Sequence, residues 1–417
     1  MISRSDRNRL RVVAQRYAEM TMSAAMDARR HVWRRTNQLE ERTVPFQIED
    51  NGTFFADLTP PPECEGEFER GLEYGLLRAL TNHELIDDDR VFPPFCGINW
   101  VIDRTSICPE LGVRRAPDAT GRDLGYETNT PLADLANSFH KLRPTECSVD
   151  RAETQRRAEM AQDAFGDILP VRIVGHDVTF AGTGLVGRAV HLVGMDDLYI
   201  AMVDQPETVH RLLEFITQDA ERFIDWLEAE RLITPNSHEM DVGSGSCGLT
   251  DELPRSDRAQ GEPLGAMDCW VWIEAQEAVG LSPAMYADFI YPYQKRLADR
   301  FGLVYYGCCE AVHAFWPTLR GMTNIRKVTM SPWCDQHSLA AAVGDTVVLS
   351  RKPHPMKLCG ARFDAAEFEA HIRETLGAAE GRFVELIFRD TCTLDGTMKD
   401  RVAEACRIVR RLIGRGG

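Results

Sequence analysis

The chain lacks any run near the roughly 18 to 20 consecutive apolar residues that a membrane helix requires, so no spanning segment is expected in its 417 residues. It has no surplus of positive charge. Its 48 Lys and Arg face 64 Asp and Glu, for a formal net charge of −16. That balance argues against a nucleic-acid footprint and against attraction to anionic lipid. The opening residues, Met1-Ile2-Ser3-Arg4-Ser5-Asp6-Arg7, are charged and lack the apolar core of a signal peptide. The twelve cysteines are therefore expected as reduced thiols in the cytoplasm, not as a disulfide framework. Internal repeats, heptads and low-complexity tracts are absent too, which removes solenoids and coiled coils. The glycines of residues 175–184, a loop that includes His176 and Asp177, do not have the spacing of a phosphate fingerprint.

What remains is an ordinary soluble composition, with 44% hydrophobic and 27% charged residues. Residues 1–40 show near-helical apolar spacing, and residues 66–80 suggest another helix. From about residue 90 onward, strand-like runs alternate with amphipathic stretches, the signature of βα units on a parallel sheet. Strands are expected within 91–100, 169–174, 177–181, 303–306, 327–330, 346–349 and 383–388. Helices are expected over 206–231, 282–301 and 364–376. Three of the strand runs lead directly into cysteine: Tyr306-Gly307-Cys308-Cys309-Glu310, Met330-Ser331-Pro332-Trp333-Cys334 and Phe388-Arg389-Asp390-Thr391-Cys392. Thiolates at the ends of buried strands sit where α/β barrels keep their sites, and they suit soft metals such as zinc.

Several segments together carry a family likeness. They are Asp268-Cys269-Trp270-Val271-Trp272, Glu274-Ala275-Gln276, Ser282-Pro283, Tyr305-Tyr306-Gly307-Cys308-Cys309-Glu310, Ser331-Pro332-Trp333 and Ser350-Arg351-Lys352-Pro353-His354-Pro355. In this order the chain resembles the uroporphyrinogen decarboxylase superfamily, in the branch near the corrinoid-linked methyltransferases. The resemblance implies a TIM-type (β/α)8 barrel over residues 89–417, with residues 1–88 as a helical extension packed on it and eight strands starting near Cys96. Two departures select the activity. The arginine-rich segment that grips the tetrapyrrole is replaced by His31-Val32-Trp33-Arg34-Arg35-Thr36-Asn37, which argues against porphyrinogen decarboxylation. Where the zinc methyltransferases carry His-x-Cys, this chain has Tyr306-Gly307-Cys308; Cys392 matches the later Gly-Cys cysteine.

The resemblance thus implies a methyltransferase that moves a methyl group between a small substrate and a corrinoid protein or thiol, assisted by Zn2+. Cys308 and Cys392, at the tops of adjacent strands, would be the metal ligands with Glu310. Cys309, Cys334 and His238 are further donors. His238, Glu310 and Asp241 are the candidate catalytic groups, because a histidine or carboxylate near a site can be tuned toward neutrality. Trp333, Arg351, Tyr306 and Asn99 are the candidate substrate contacts. No corrinoid-binding domain is recognisable, so a corrinoid would arrive on a partner. The other expected partner is the small-molecule substrate, a homodimer is left open, and neither nucleic acid nor membrane is expected. The alternatives are a metal-free demethylase, a decarboxylase or lyase on the same barrel, or a non-catalytic ligand-binding barrel.

Overall fold

The computed structural model describes residues 2–49, 53–116, 125–175, 178–259 and 261–414. It is an α/β structure built on a six-stranded parallel sheet. Across the sheet the strands run Phe46–Ile48, Phe383–Phe388, Val348–Arg351, Ile325–Met330, Leu303–Tyr306 and Trp270–Ile273. A separate parallel pair joins Cys96–Asn99 to Val171–Val174. Each crossover carries helix, as parallel neighbours require, and the apolar face of the long helix Pro206–Ala229 is buried in the main core, packed on neighbouring helices.

Side chains bond the backbone of both edge strands of the six-stranded sheet. On one edge the Asn236 amide imitates a neighbouring strand. Its Oδ1 accepts from Trp270 N at 2.8 Å and its Nδ2 donates to Trp270 O at 2.9 Å. On the other, Asp89 and Asp88 accept from Phe46 N and Ile48 N, each at 3.0 Å. These contacts satisfy backbone groups that an unpaired buried edge would leave orphaned.

Most expected elements are present with shifted ends; residues 383–388 form a strand over their full length. Besides the short antiparallel strands, two strands of the six-stranded sheet escaped the pattern. Phe46–Ile48 lies inside the stretch read as helical, yet it pairs with the last strand. Trp270–Ile273 pairs with Leu303–Tyr306. Of the strand expected over 177–181, residues 178–181 form a turn, and His176 and Asp177 lie outside the described residues. The helix expected over 282–301 starts at the Ser282 N-cap but widens to a π-type turn over Tyr286–Ile290 before Tyr291–Ala298, because Pro292 supplies no N–H to the regular ladder. Among the described residues no helix is long and apolar enough to cross a membrane.

Candidate active site

The face of the sheet turned away from the helices meets a small hairpin, Asp241–Gly243 with Ser246–Cys247, and is polar. Lys327 Nζ donates to Glu385 Oε2 at 2.8 Å, to Ser246 Oγ at 2.7 Å and to Cys247 O at 2.8 Å. Lys327 and Glu385 are fully buried. Ser350 Oγ donates to Glu385 Oε1 at 2.5 Å, and Tyr305 OH donates to Ser350 Oγ at 2.9 Å. Lys352 Nζ reaches Tyr305 OH at 2.8 Å and Ser350 Oγ at 2.6 Å. Burial lowers Lys352 to about 7, partly countered by Glu385. Burial also opposes the Glu385 charge, but Lys327 and Lys352 outweigh it and hold this carboxyl low. The hairpin approaches so closely that a Cβ on Gly243 would stand 2.3 Å from the Tyr305 ring. Only glycine fits there.

Just beyond this network, at the C-terminal strand ends, lie the two thiols. Gly307 turns the chain at φ +100°, where a Cβ would meet Thr329 at 3.0 Å, and so delivers Cys308 and Cys309 to the mouth. Their sulfurs are 3.6 Å apart. Arg389 leaves the end of the last strand and brings Nη1 to 3.4 Å from Cys308 Sγ. The guanidinium is held by Glu49 Oε2, 2.9 Å from Nε, and by Ser244 Oγ. The next residue, Asp390, has φ 55°, a left-handed conformation that Asp tolerates better than most residues. The two thiols titrate as a pair. The S–H···S contact and Arg389 ease loss of the first proton, seen as a lowered Cys309, while that contact and then burial hold Cys308 high.

Two carboxyls sit beside the thiols. Glu310 is fully buried; its Oε1 accepts from Ala275 N at 2.9 Å and its Oε2 from Cys308 N at 2.8 Å. Burial, followed by the neighbouring Cys308, raises it to about 7. Glu274 accepts from Gly184 N at 3.1 Å and Gln276 N at 2.9 Å. Burial and then the charge of Glu310 raise it to about 8. Two buried carboxyls that repel each other keep a proton between them at neutral pH. The mouth therefore combines a proton source, a thiol pair and a fixed cation.

The other sequence candidates scatter. His238 packs edge-on against Phe95, with ring centroids 5.3 Å apart, and lies 4.0 Å from Glu239. Asp241 starts the hairpin and accepts from Gln47 Nε2 at 3.2 Å. Arg351 is buried in the framework, donating to Ser331 O at 2.7 Å and Met330 O at 3.3 Å. Tyr306 points to the helix side, bonded to Tyr286 OH at 2.7 Å and Gln294 Oε1 at 3.0 Å. Trp333 is 64% exposed and meets His354 edge-on. Asn99 lines a cavity at the end of its strand. Cys392 is half-buried, and burial raises it.

The strands before Cys308 and Cys392 are not adjacent, because Val348–Arg351 and Ile325–Met330 lie between them. Among the described residues no group of three or more His, Cys, Asp and Glu side chains is arranged to hold a metal ion. Cys308 Sγ faces a guanidinium and both Glu310 oxygens accept N–H groups, so a metal would have to displace each of those partners. Cys308, Cys392 and Glu310 do not fit a preformed zinc centre.

No family model matches the chain, and no curated protein does. Among solved structures, a methyltransferase from Methanosarcina mazei is similar with a TM-score of 0.52 and 13% sequence identity, over 90% of this chain and 96% of that one. At that identity the likeness is one of fold.

Three site groups were not picked out as such: Glu274, Arg389 and Lys352. Each directly follows a strand of the sheet, and Glu274 and Lys352 also stand in segments that carry the family likeness. The polar residues inside Ile-Arg-Lys-Val-Thr-Met and Phe-Val-Glu-Leu-Ile-Phe were a further clue, since a charge in a buried strand needs a partner across the sheet.

Proposed function

We propose that the chain is a methyltransferase that takes a methyl group from a small methylated substrate and passes it to a corrinoid on a partner protein, or to a thiol. In the same reading the eight parallel strands form one closed (β/α)8 barrel. Residues 1–88 are an extension that lends it the strand Phe46–Ile48, and the enzyme works in the cytoplasm. The observation that carries the reading is the Glu274–Glu310 pair, raised to about 8 and about 7 beside the thiols. Demethylation breaks a carbon–heteroatom bond, and the heteroatom leaves more readily if it receives a proton. The carboxyl pair holds that proton at the strand ends, and the Arg389 cation beside the Cys308–Cys309 pair eases loss of its first proton. A corrinoid, when bound, supplies a soft acceptor for the methyl group. No step is assigned to zinc.

A decarboxylase or lyase is the second reading, favoured by one group. Lys352, lowered to about 7, is an amine poised between protonation states. It is bonded inside the network, however, while the carboxyl pair stands beside the mouth.

The test supplies the purified protein with methylated amines, methanol, methyl thioethers and methyl aryl ethers, each with a reduced corrinoid or a small thiol. Mass spectrometry then follows the methylated acceptor. Turnover of one donor class supports the proposal. Absence of transfer from every class, with carbon dioxide released from an acid instead, replaces it with the second reading.

A further inference from the structure

One cavity at the sheet mouth has a chemistry that the acid–thiol cluster does not use. It encloses about 420 Å³ and is lined by Asn99, Trp100, Arg104, Phe180, Arg188 and Phe223, among others. Arg104 is fixed: its Nη2 donates to Asp219 Oδ2 at 2.8 Å and its guanidinium lies 4.2 Å from the Phe223 ring centroid. Asp219 neutralises that charge and is itself anchored by Thr145 N at 2.8 Å. Arg188, on the helix Leu185–Val193, is different. Among the described residues no carboxylate or carbonyl oxygen lies at bonding distance from its guanidinium, although it is not exposed. Burial, and then the neighbouring Arg104, press against the Arg188 cation, and Asp219 offsets only part of this, so a bound anion would relieve the rest of the cost.

Packed side chains connect the cavity wall to the reacting groups. The Phe180 ring meets Trp272 at 6.0 Å and 71°, and the Trp272 indole N–H donates to Gly307 O at 3.0 Å, next to Cys308. The geometry points to a substrate with one carboxylate, held by Arg188 with Asn99 beside it, and a flat apolar body lying along Phe180 and Trp272 toward the thiols. This deepens the methyl-transfer reading and rests on it for the direction of the substrate, but the anion site itself is tested by binding alone.

The experiment uses the whole protein with benzoate, 4-methylbenzoate and hexanoate, each against its own amide, by calorimetry and by quenching of tryptophan fluorescence. At least one carboxylate should bind roughly tenfold or more tightly than its amide, since a charge-assisted bond is lost in the amide. Arg188→Met should remove that preference, Arg188→Lys should keep part of it, and amide binding should stay unchanged. Equal binding of acids and amides by the wild-type chain, or no binding of any acid, overturns the inference without needing a variant to fold. An Arg188→Met protein with wild-type melting and an intact preference overturns it as well. Carboxylate binding without methyl transfer from any carboxylate-bearing methyl donor leaves the anion site standing and removes the proposed reaction.

Discussion

Replacing Glu310 by glutamine should change how stability depends on pH. Glu310 titrates at about 7 in the folded chain, against an ordinary 4.5. Because the folded value is raised, the folded state binds the proton more tightly than the unfolded state. The resulting stabilisation is complete below 4.5 and is lost as pH rises through about 7. At 1.36 kcal/mol per pH unit, that gap corresponds to about 3 kcal/mol. Glu274 pushes in the same direction, but the two share one repulsion and their contributions do not add. Glu310→Gln removes the ionisation. It also sets an amide N–H against Ala275 N or Cys308 N, where Glu310 accepts at 2.9 and 2.8 Å, at a cost of about 2 kcal/mol. The variant should therefore be less stable than wild type by about 1 kcal/mol at pH 5 and more stable than it by about 1 kcal/mol at pH 9. Urea midpoints measured from pH 5 to 9 give both curves. Parallel curves, offset by a constant amount, would show that Glu310 carries no raised value and would refute the reasoning.

Four further outcomes follow from the same geometry. Lys327→Met should destabilise by about 3 to 5 kcal/mol, read from denaturant midpoints, because it strands Glu385 as a buried charge; Lys327→Met with Glu385→Leu should recover most of that loss. Arg389→Met should slow alkylation of the Cys308–Cys309 pair by iodoacetamide at pH 7 and move its pH midpoint upward, as followed by peptide mass spectrometry. Unchanged labelling would mean that the guanidinium does not act on the thiols. Elemental analysis of protein purified without a histidine tag should find zinc well below one ion per chain, and stoichiometric zinc lost in Cys308→Ser would restore the Cys308–Cys392 centre. Trp333→Ala should leave stability within about 0.5 kcal/mol, so any loss of turnover would place this exposed ring on the substrate.

Periodicity revealed the α/β class and the strands that end at Tyr306, Met330 and Phe388, because buried β-branched and aromatic residues are concentrated in them. It missed Phe46–Ile48, which is three residues long and whose partner in the sheet is more than three hundred residues away. The bonds at the sheet edges were illegible for the same reason, since Asn236 and Asp88 do the work of backbone and leave no pattern. Within the site, Cys308 and Glu310 were visible as chemistry-bearing residues at a strand end. Their partners were not, because the contacts of Arg389 with Cys308 and of Ala275 with Glu310 depend on how separate strands are brought together in the sheet. Arg351 misled for a physical reason. A cation after a strand suits a ligand equally well on paper, but here its fork is filled by the Met330 and Ser331 carbonyls.

The most direct test of the central claim is methyl transfer from an isotopically labelled donor by wild-type, Glu274→Gln and Glu310→Gln proteins between pH 6 and 9. The proton must be present on the carboxyl pair, so wild-type turnover should fall as pH rises through about 7 to 8. Each variant should lose roughly a hundredfold or more, the typical worth of a general acid, while remaining folded. A pH-independent rate, or variants as fast as wild type, would contradict the assignment of the carboxyl pair as the acid.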